Sequence, residues 1–406
     1  MTKKKLVVIG NGMAGIRTVE ELLSATPDLY QITVFGAEAY GNYNRILLSS
    51  VLAGEKTMDD IVINSPEWYQ QHSITLHVGE DKTVVRIDRR RKQVIAKDGT
   101  VAEYDKLLIA TGSRAAKPTI PGHQLDGVVS FRDVIDVNTM LAYSQTHNQA
   151  VVLGGGLLGL EAANGLVMRG MEVTVIHSHA QVLNRQLDKP AATLLQQQLE
   201  ARGIRFKLAA KTQALLGDDN RHVRAVRFDD GTELACDLFV AAVGIQPNIE
   251  LAQAAGLYCE RGIMVNDTMQ TYDPSIYAVG ECVQHRGDTF GLVAPLFEQA
   301  KVCANHLSAH GVAMYLTVPT ATKLKVTGIN LFSLGNFLGD NNSEQIVFTD
   351  TELGVYKKLV IHQGKLAGAV LYGDTADGLW YQELLEQGCD INPMRENLIF
   401  GQAYAM

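Results

Sequence analysis

The 406 residues carry 46% hydrophobic and 20% charged side chains with a formal net charge of -8, the balance of a globular chain long enough for two or three cores. That composition excludes disordered and collagen-like classes. It also argues against a nucleic-acid partner, because phosphate backbones require a concentrated basic face, and the dense basic runs Lys3–Lys5 and Arg89–Lys92 read as solvated ends or turns.

Three lysines precede Leu6-Val7-Val8-Ile9, but glycines end the apolar run at once and no small-residue cleavage pattern follows. No uninterrupted run approaches transmembrane length, so the expectation is a cytoplasmic chain without a membrane partner. The cysteines at 236, 259, 282, 303 and 389 contain no Cys-x-x-Cys pair. They therefore offer no metal, iron–sulfur or dithiol site and are expected as reduced thiols packed in cores.

The chain opens with a β-α-β unit from about Lys5 to Phe35. The apolar strand runs into Gly10-Asn11-Gly12-Met13-Ala14-Gly15 and then into a helix over Met13 to Ala25. The first glycine permits the turn, the second lets backbone N–H groups approach a pyrophosphate, and the third allows helix and strand to pack closely. The second strand, Gln31 to Phe35, ends at Gly36, where an acid usually serves the adenosine ribose; Glu38 lies two residues further on. Glu38 is open between a shifted ribose contact and a solvated loop acid. The segment Tyr43 to Ser50 is too apolar for an ordinary surface loop, and Arg45 within it is a candidate for a cofactor contact or a surface salt bridge.

From Ile74 to Ala110 short alternating strands with a hairpin signal at Lys97-Asp98-Gly99-Thr100 predict an antiparallel flap. A buried strand then ends in Ala110-Thr111-Gly112, whose small residues let the backbone pass a ligand closely. The stiff connector Lys117 to Gly122 leads to a second copy of the first motif. It comprises strand Val151 to Leu153, Gly154-Gly155-Gly156-Leu157-Leu158-Gly159, a helix from Leu157 to Arg169 containing Glu161, and strand Glu172 to Ile176. The strand-end position holds His177, with Ser178, His179 and Arg185 beyond. The missing carboxylate removes a barrier to the 2′-phosphate of NADP without supplying a strong clamp, so the choice of nicotinamide stays open. A second flap, about Gly203 to Asp237, returns through a strand over Asp237 to Gly244.

Two dinucleotide motifs in one chain imply one resident and one visiting redox cofactor. The flap and return strand repeat, so the halves read as duplicated modules, the second nested in the first. Outer-module features resume at Tyr277-Ala278-Val279-Gly280-Glu281-Cys282, which delivers Glu281 at a strand end to a sugar-alcohol chain. A helix from about Leu296 to Ala309, preceded by Ala294, can aim its amides at an electron-rich ring edge. From Pro319 the pattern becomes a small α+β region with strands near 331–335, 355–361 and 366–372 and a helix near 379–386. The expected fold class is thus α/β: two Rossmann-like dinucleotide-binding domains, one nested in the other, plus a small C-terminal α+β domain. The expected boundaries are 1–115 with 245–318, then 116–244, then 319–406.

The ordered set of glycine motifs, with Val243-Gly244-Ile245-Gln246-Pro247-Asn248 and Tyr277 to Cys282, resembles the two-dinucleotide-domain flavoprotein disulfide reductase superfamily along essentially the whole chain. Within it, Tyr43-Asn44-Arg45, Leu48-Ser49-Ser50, Gly154 to Ala163, Gln186-Leu187-Asp188, Phe290 to Pro295 and Gly373-Asp374-Thr375 are similar to the flavoprotein module of bacterial NAD(P)H nitrite reductase large subunits and of assimilatory nitrate reductase electron-transfer subunits. The resemblance implies FAD in the outer domain, NAD(P)H in the nested one, and Glu161 near the nicotinamide carboxamide. It also implies an iron–sulfur, molybdenum or haem-type redox partner; the oligomeric state stays open. Two departures carry weight. The chain stops at Met406, before the regions that would carry iron–sulfur and sirohaem groups, so it is not expected to reduce nitrite alone. The region Leu47-Leu48-Ser49-Ser50 lacks the cysteine of disulfide reductases and, at Ser50, the lysine of many rubredoxin and ferredoxin reductases. A rubredoxin or ferredoxin reductase is the alternative enzyme. An NADH-sensing flavoprotein with incidental turnover is the alternative of another class.

Overall fold

The computed structural model describes residues 3–318, 320–324, 326 and 328–405, which form two compact units. The first comprises residues 1–45, 58–114 and 245–318; the second comprises 46–57, 115–244 and 319–406.

The first unit is built on a five-stranded parallel sheet in the order Ile276–Ala278, Lys106–Ile109, Lys4–Ile9, Tyr30–Gly36, Thr75–Val78. Its central strands are near-continuous apolar runs because both faces are covered. Leu6, Val7, Val8, Leu107, Leu108 and Ile109 are all buried. Helix Met13–Ala25 turns Ile16, Val19 and Leu22 inward and packs along helix Val293–Leu307. The predicted flap is present as Val84–Asp88, Gln93–Ala96 and Val101–Glu103, and its inward residues join the core of the parallel sheet.

The second unit repeats this plan. Its parallel sheet runs Val128–Ser130, Leu238–Ala241, Gln149–Leu153, Glu172–Ile176, Ile204–Lys207, with the flap Thr212–Gly217, Val223–Phe228, Glu233–Ala235 sharing its core. The described residues from 320 to 405 add an antiparallel sheet in the order Thr322–Lys323, Leu331–Gly335, Lys365–Tyr372, Val355–His362, Glu344–Asp350, backed by helix Gly378–Gln387 around its own core.

Two sequence expectations need correction, and a third is explained. Helix Val293–Leu307 starts three residues before Leu296, since Pro295 sits in its first turn, where a missing N–H costs nothing. The apolar segment Tyr43 to Ser50 runs into the short helix Leu48–Ala53, which packs on helix Leu157–Met168 and is closed by Arg169 Nε and Nη2 donating to the carbonyls of Leu52 (2.6 Å) and Val51 (2.9 Å). Cys236, Cys282 and Cys303 are buried thiols, whereas Cys259 and Cys389 are only partly covered. Among the described residues no helix is long and apolar enough to cross a membrane.

Candidate functional site: two glycine loops at the carboxyl ends of parallel sheets

Both glycine loops sit where a central parallel strand turns into a helix, the position at which this architecture binds ligands. They have the same geometry. Gly10 has φ +116° and Gly154 has φ +128°; a Cβ there would lie 2.0 Å from Ala110 O and 2.3 Å from Ala242 O respectively. Each therefore needs both left-handed backbone freedom and the missing side chain. A Cβ on Gly15 would lie 2.6 Å from Gly10 O, and one on Gly159 only 1.9 Å from Gly154 O, so the third glycine lets the helix touch its own loop.

The middle glycines differ. Gly12 (φ -94°, ψ -178°) and Gly156 (φ -86°, ψ -178°) have extended backbones open to any residue, and an added Cβ would meet nothing within 4 Å. The protein itself has no steric need of glycine at either place. What both positions preserve is open space against an unsatisfied helix N-terminus. Neither helix has a side-chain cap or an acid in its first turn, whereas helices Val134–Ser144 and Lys189–Ala201 are capped by Asp133 and Asp188. Uncapped N–H groups facing free space form a cradle for a phosphate pair, and the residues present fit a dinucleotide at each loop. Met13, Ala14, Leu157 and Leu158 are the first turns of these helices.

In the first unit the remaining candidates gather at neighbouring strand ends. Ala110, Thr111 and Gly112 follow Lys106–Ile109. Thr111 Oγ1 donates to Asn248 O (2.8 Å) and Asn248 Nδ2 donates back to Thr111 O (2.9 Å), which fixes the small-residue turn. Gly280 approaches the first loop, its missing Cβ 3.0 Å from Ala14 Cβ, and its N–H donates to the buried Gln299 on helix Val293–Leu307 (2.9 Å). That helix also lacks a side-chain cap and carries Ala294 in its first turn. Glu281 accepts a hydrogen bond from Ser113 Oγ at 2.8 Å. Glu38 is engaged by both Tyr43, whose hydroxyl donates at 2.7 Å, and Arg45, whose guanidinium pairs with its other oxygen while lying over the Tyr43 ring. Glu38 and Arg45, read separately from sequence, are thus one cluster.

A complementarity across the two loops explains their strand ends. In the first, Asn11 fills the space beyond the strand, accepting from Tyr69 Oη (2.7 Å) and donating to Tyr40 O (3.2 Å); a Cβ at Gly36 would lie 2.8 Å from Asn11 Cβ. An acid at position 36 has no room. In the second, Gly155 takes the place of Asn11, and its absent Cβ would lie 2.9 Å from the His177 ring. Burial, reinforced by neighbouring His179, holds His177 below the usual imidazole range despite its contact with Asn184. It is therefore mostly neutral at pH 7 and a weak partner for a phosphate. Glu161 opens the second turn of its helix and is 7% exposed, Leu158 is 39% exposed, and Gly244 (φ +117°) accepts from Ala116 N at 2.9 Å.

Asn11, Gly155, Ser113, Asn248 and Gln299 were not among the sequence candidates. Asn11 and Gly155 stand inside the motif at positions any residue can fill, so only their contact with residues 36 and 177 gives them meaning. Among the described residues no group of three or more His, Cys, Asp or Glu side chains is arranged to hold a metal ion.

Residues 4–306 match the family model described as pyridine nucleotide-disulphide oxidoreductase. The chain belongs to that oxidoreductase family. Residues 320–389 match a second model, the rubredoxin NAD+ reductase C-terminal domain. The chain is 47% identical over 392 residues to the NAD(P)H nitrite reductase of Bacillus subtilis, covering 97% of this chain and 48% of that protein. It is 45% identical over 399 residues to the assimilatory nitrate reductase electron transfer subunit of the same organism, covering 98% and 51%. It thus spans about half the length of these curated relatives. Among solved structures, the covalent putidaredoxin reductase–putidaredoxin complex superimposes with a TM-score of 0.87 at 25% identity, over 99% of this chain and 97% of that one.

Proposed function

We propose that this member of the family is an FAD-dependent NAD(P)H oxidoreductase that passes electrons to a separate redox protein, as the electron-transfer component of nitrate or nitrite assimilation. The observation that carries the reading is the pair Gly12 and Gly156, which are glycine for no reason internal to the fold and keep two phosphate cradles open. FAD, when bound, supplies the step the side chains cannot, accepting a hydride from reduced nicotinamide and handing its electrons onward.

In this reading residues 1–115 with 245–318 bind FAD, 116–244 bind NAD(P)H, and 319–406 form an interface domain. Gly10, Gly12 and Gly15 hold the FAD pyrophosphate, with Ala110 to Gly112 and Gly280 letting the backbone come close. Glu281, oriented by Ser113, anchors the ribityl chain, and helix Val293–Leu307 turns its first amides, Ala294 included, toward the flavin. The Glu38–Arg45 pair lies on the adenosine side or at the flavin. Gly154, Gly156 and Gly159 hold the nicotinamide dinucleotide, His177 borders its adenosine ribose, and Glu161 orients the carboxamide. The five cysteines are free thiols, in keeping with a reducing compartment, and we assign the protein to the cytoplasm.

The acceptor is tested by mixing the FAD-loaded protein anaerobically with NADH or NADPH, then with a nitrate reductase catalytic subunit, a rubredoxin and a ferredoxin. Rapid oxidation by the nitrate reductase subunit alone supports the proposal. Rapid turnover with rubredoxin alone supports the second reading, a rubredoxin reductase, which the match over residues 320–389 favours.

A further inference from the structure

The C-terminal sheet grips one helix of the second unit at two points. Helix Lys189–Ala201 follows the loop 177–187, which leaves the strand end at His177. The loop is pinned to the glycine motif by Leu183 N donating to Gly155 O at 2.8 Å and is braced by Gln181 Nε2 donating to Leu187 O at 3.0 Å. Where loop becomes helix stands Asp188, buried, its side chain capping the helix by accepting from Ala191 N at 3.4 Å. The same carboxylate accepts from Tyr356 Oη at 2.6 Å and lies 3.6 Å from Lys358 Nζ, both on strand Val355–His362. Further along the helix, Gln198 accepts from the Tyr372 hydroxyl and donates to Gly328 O at 3.1 Å. The two grips lie about 15 Å apart along the helix. Beyond them Arg202 Nη1 donates to Asn164 Oδ1 at 3.3 Å, on helix Leu157–Met168, whose N-cap is Gly156.

A buried lysine–carboxylate pair contributes little net stability compared with apolar packing, but it fixes geometry. Here it fixes the junction between the loop and its helix. Resting on the reading of the second glycine loop as the NAD(P)H site, we propose that Tyr356 and Lys358 are positioning residues for that nucleotide. Through Asp188 they hold loop 177–187 in register with Gly154–Gly159, so the C-terminal domain sets nucleotide affinity without touching the nucleotide.

The test uses the full FAD-loaded chain with Tyr356→Phe, Lys358→Met and Lys358→Arg. The dissociation constant of NADH and the limiting rate come from anaerobic flavin reduction at varied NADH. Tyr356→Phe and Lys358→Met are expected to weaken NADH binding about fivefold or more, with flavin content and limiting rate unchanged and Lys358→Arg restoring most of the affinity. If Lys358→Met does not fold, Tyr356→Phe, which removes one hydroxyl, carries the test. An unchanged NADH constant in Tyr356→Phe overturns the proposal, even if its melting temperature falls. Gly156→Asp separates the two levels. If it weakens NADH binding while Tyr356→Phe does not, only the positioning role falls; if it leaves NADH binding intact, the nucleotide site itself is misplaced and the positioning role falls with it.

Discussion

Replacing Gly156 by aspartate pulls apart what the fold needs and what a bound nucleotide needs. The position is the N-cap of helix Leu157–Met168, its φ of -86° and ψ of -178° suit aspartate without strain, and an added Cβ meets nothing within 4 Å. Aspartate is among the best N-cap residues and glycine a middling one, a difference of a few tenths of a kcal/mol. Losing the glycine also removes roughly 0.4–1 kcal/mol of unfolded-chain entropy, and a carboxylate at the positive helix end adds about 0.3–1 kcal/mol at low salt. The nucleotide-free protein should therefore become about 1 kcal/mol more stable, a rise of about 2–4 °C in Tm. The same carboxylate would stand in the space reserved for pyrophosphate. NADH binding should weaken by at least about 100-fold, roughly 2.7 kcal/mol, while the other cradle keeps its FAD. Thermal melts without NADH, flavin absorbance and a stopped-flow titration with NADH read the three quantities. A destabilised protein with unaltered NADH binding would refute the reasoning, since Gly156 would then be serving the fold.

Other substitutions probe the remaining roles. Glu161→Ala should slow flavin reduction by NADH about tenfold or more with flavin content unchanged; an unaltered reduction rate counts against a role at the nicotinamide. His177→Asp fits the room left by Gly155 and supplies the carboxylate that accepts from a 2′-hydroxyl and repels a 2′-phosphate. The ratio of kcat/KM for NADH over NADPH should rise about tenfold or more, and a constant ratio would show that residue 177 does not border the ribose. Arg286 and then His285 hold the Asp267 carboxyl down at about 2, from 3.8. A depressed folded-state value contributes stability above the unfolded pKa that is lost as pH falls through the folded one. Melting temperature should thus decline between about pH 4 and 2, and Asp267→Asn should lower the plateau and flatten that limb; an identical acid limb in the variant would contradict the assignment.

The parts legible in the sequence were those set by short-range chemistry. Both glycine loops, both flaps and the strands into them follow from turn residues and alternation within a few positions of one another. Helix Leu48–Ala53 was visible only as unexplained apolarity, because its partners Gly165 and Arg169 lie more than a hundred residues away. The missing acids at Gly36 and His177 looked like simple departures from a motif. At Gly36 the cause is the bulk of Asn11, whereas at residue 177 Gly155 leaves room that the histidine ring takes; both are contacts across strand ends that no local pattern encodes. Strand Glu344–Asp350 escaped because it is an edge strand with mostly polar, exposed positions. The grip of Tyr356 and Lys358 on Asp188 joins residues 168 and 170 positions apart along the chain, beyond the reach of periodicity.

Two cradles matter only if both are filled and communicate. The most direct measurement is anaerobic rapid mixing of the FAD-reconstituted protein with NADH while following the absorbance of the oxidised flavin. Stoichiometric retention of FAD and bleaching within milliseconds to seconds is the predicted result. A chain that stays colourless after reconstitution, or a yellow protein whose flavin NADH cannot reduce, would contradict it.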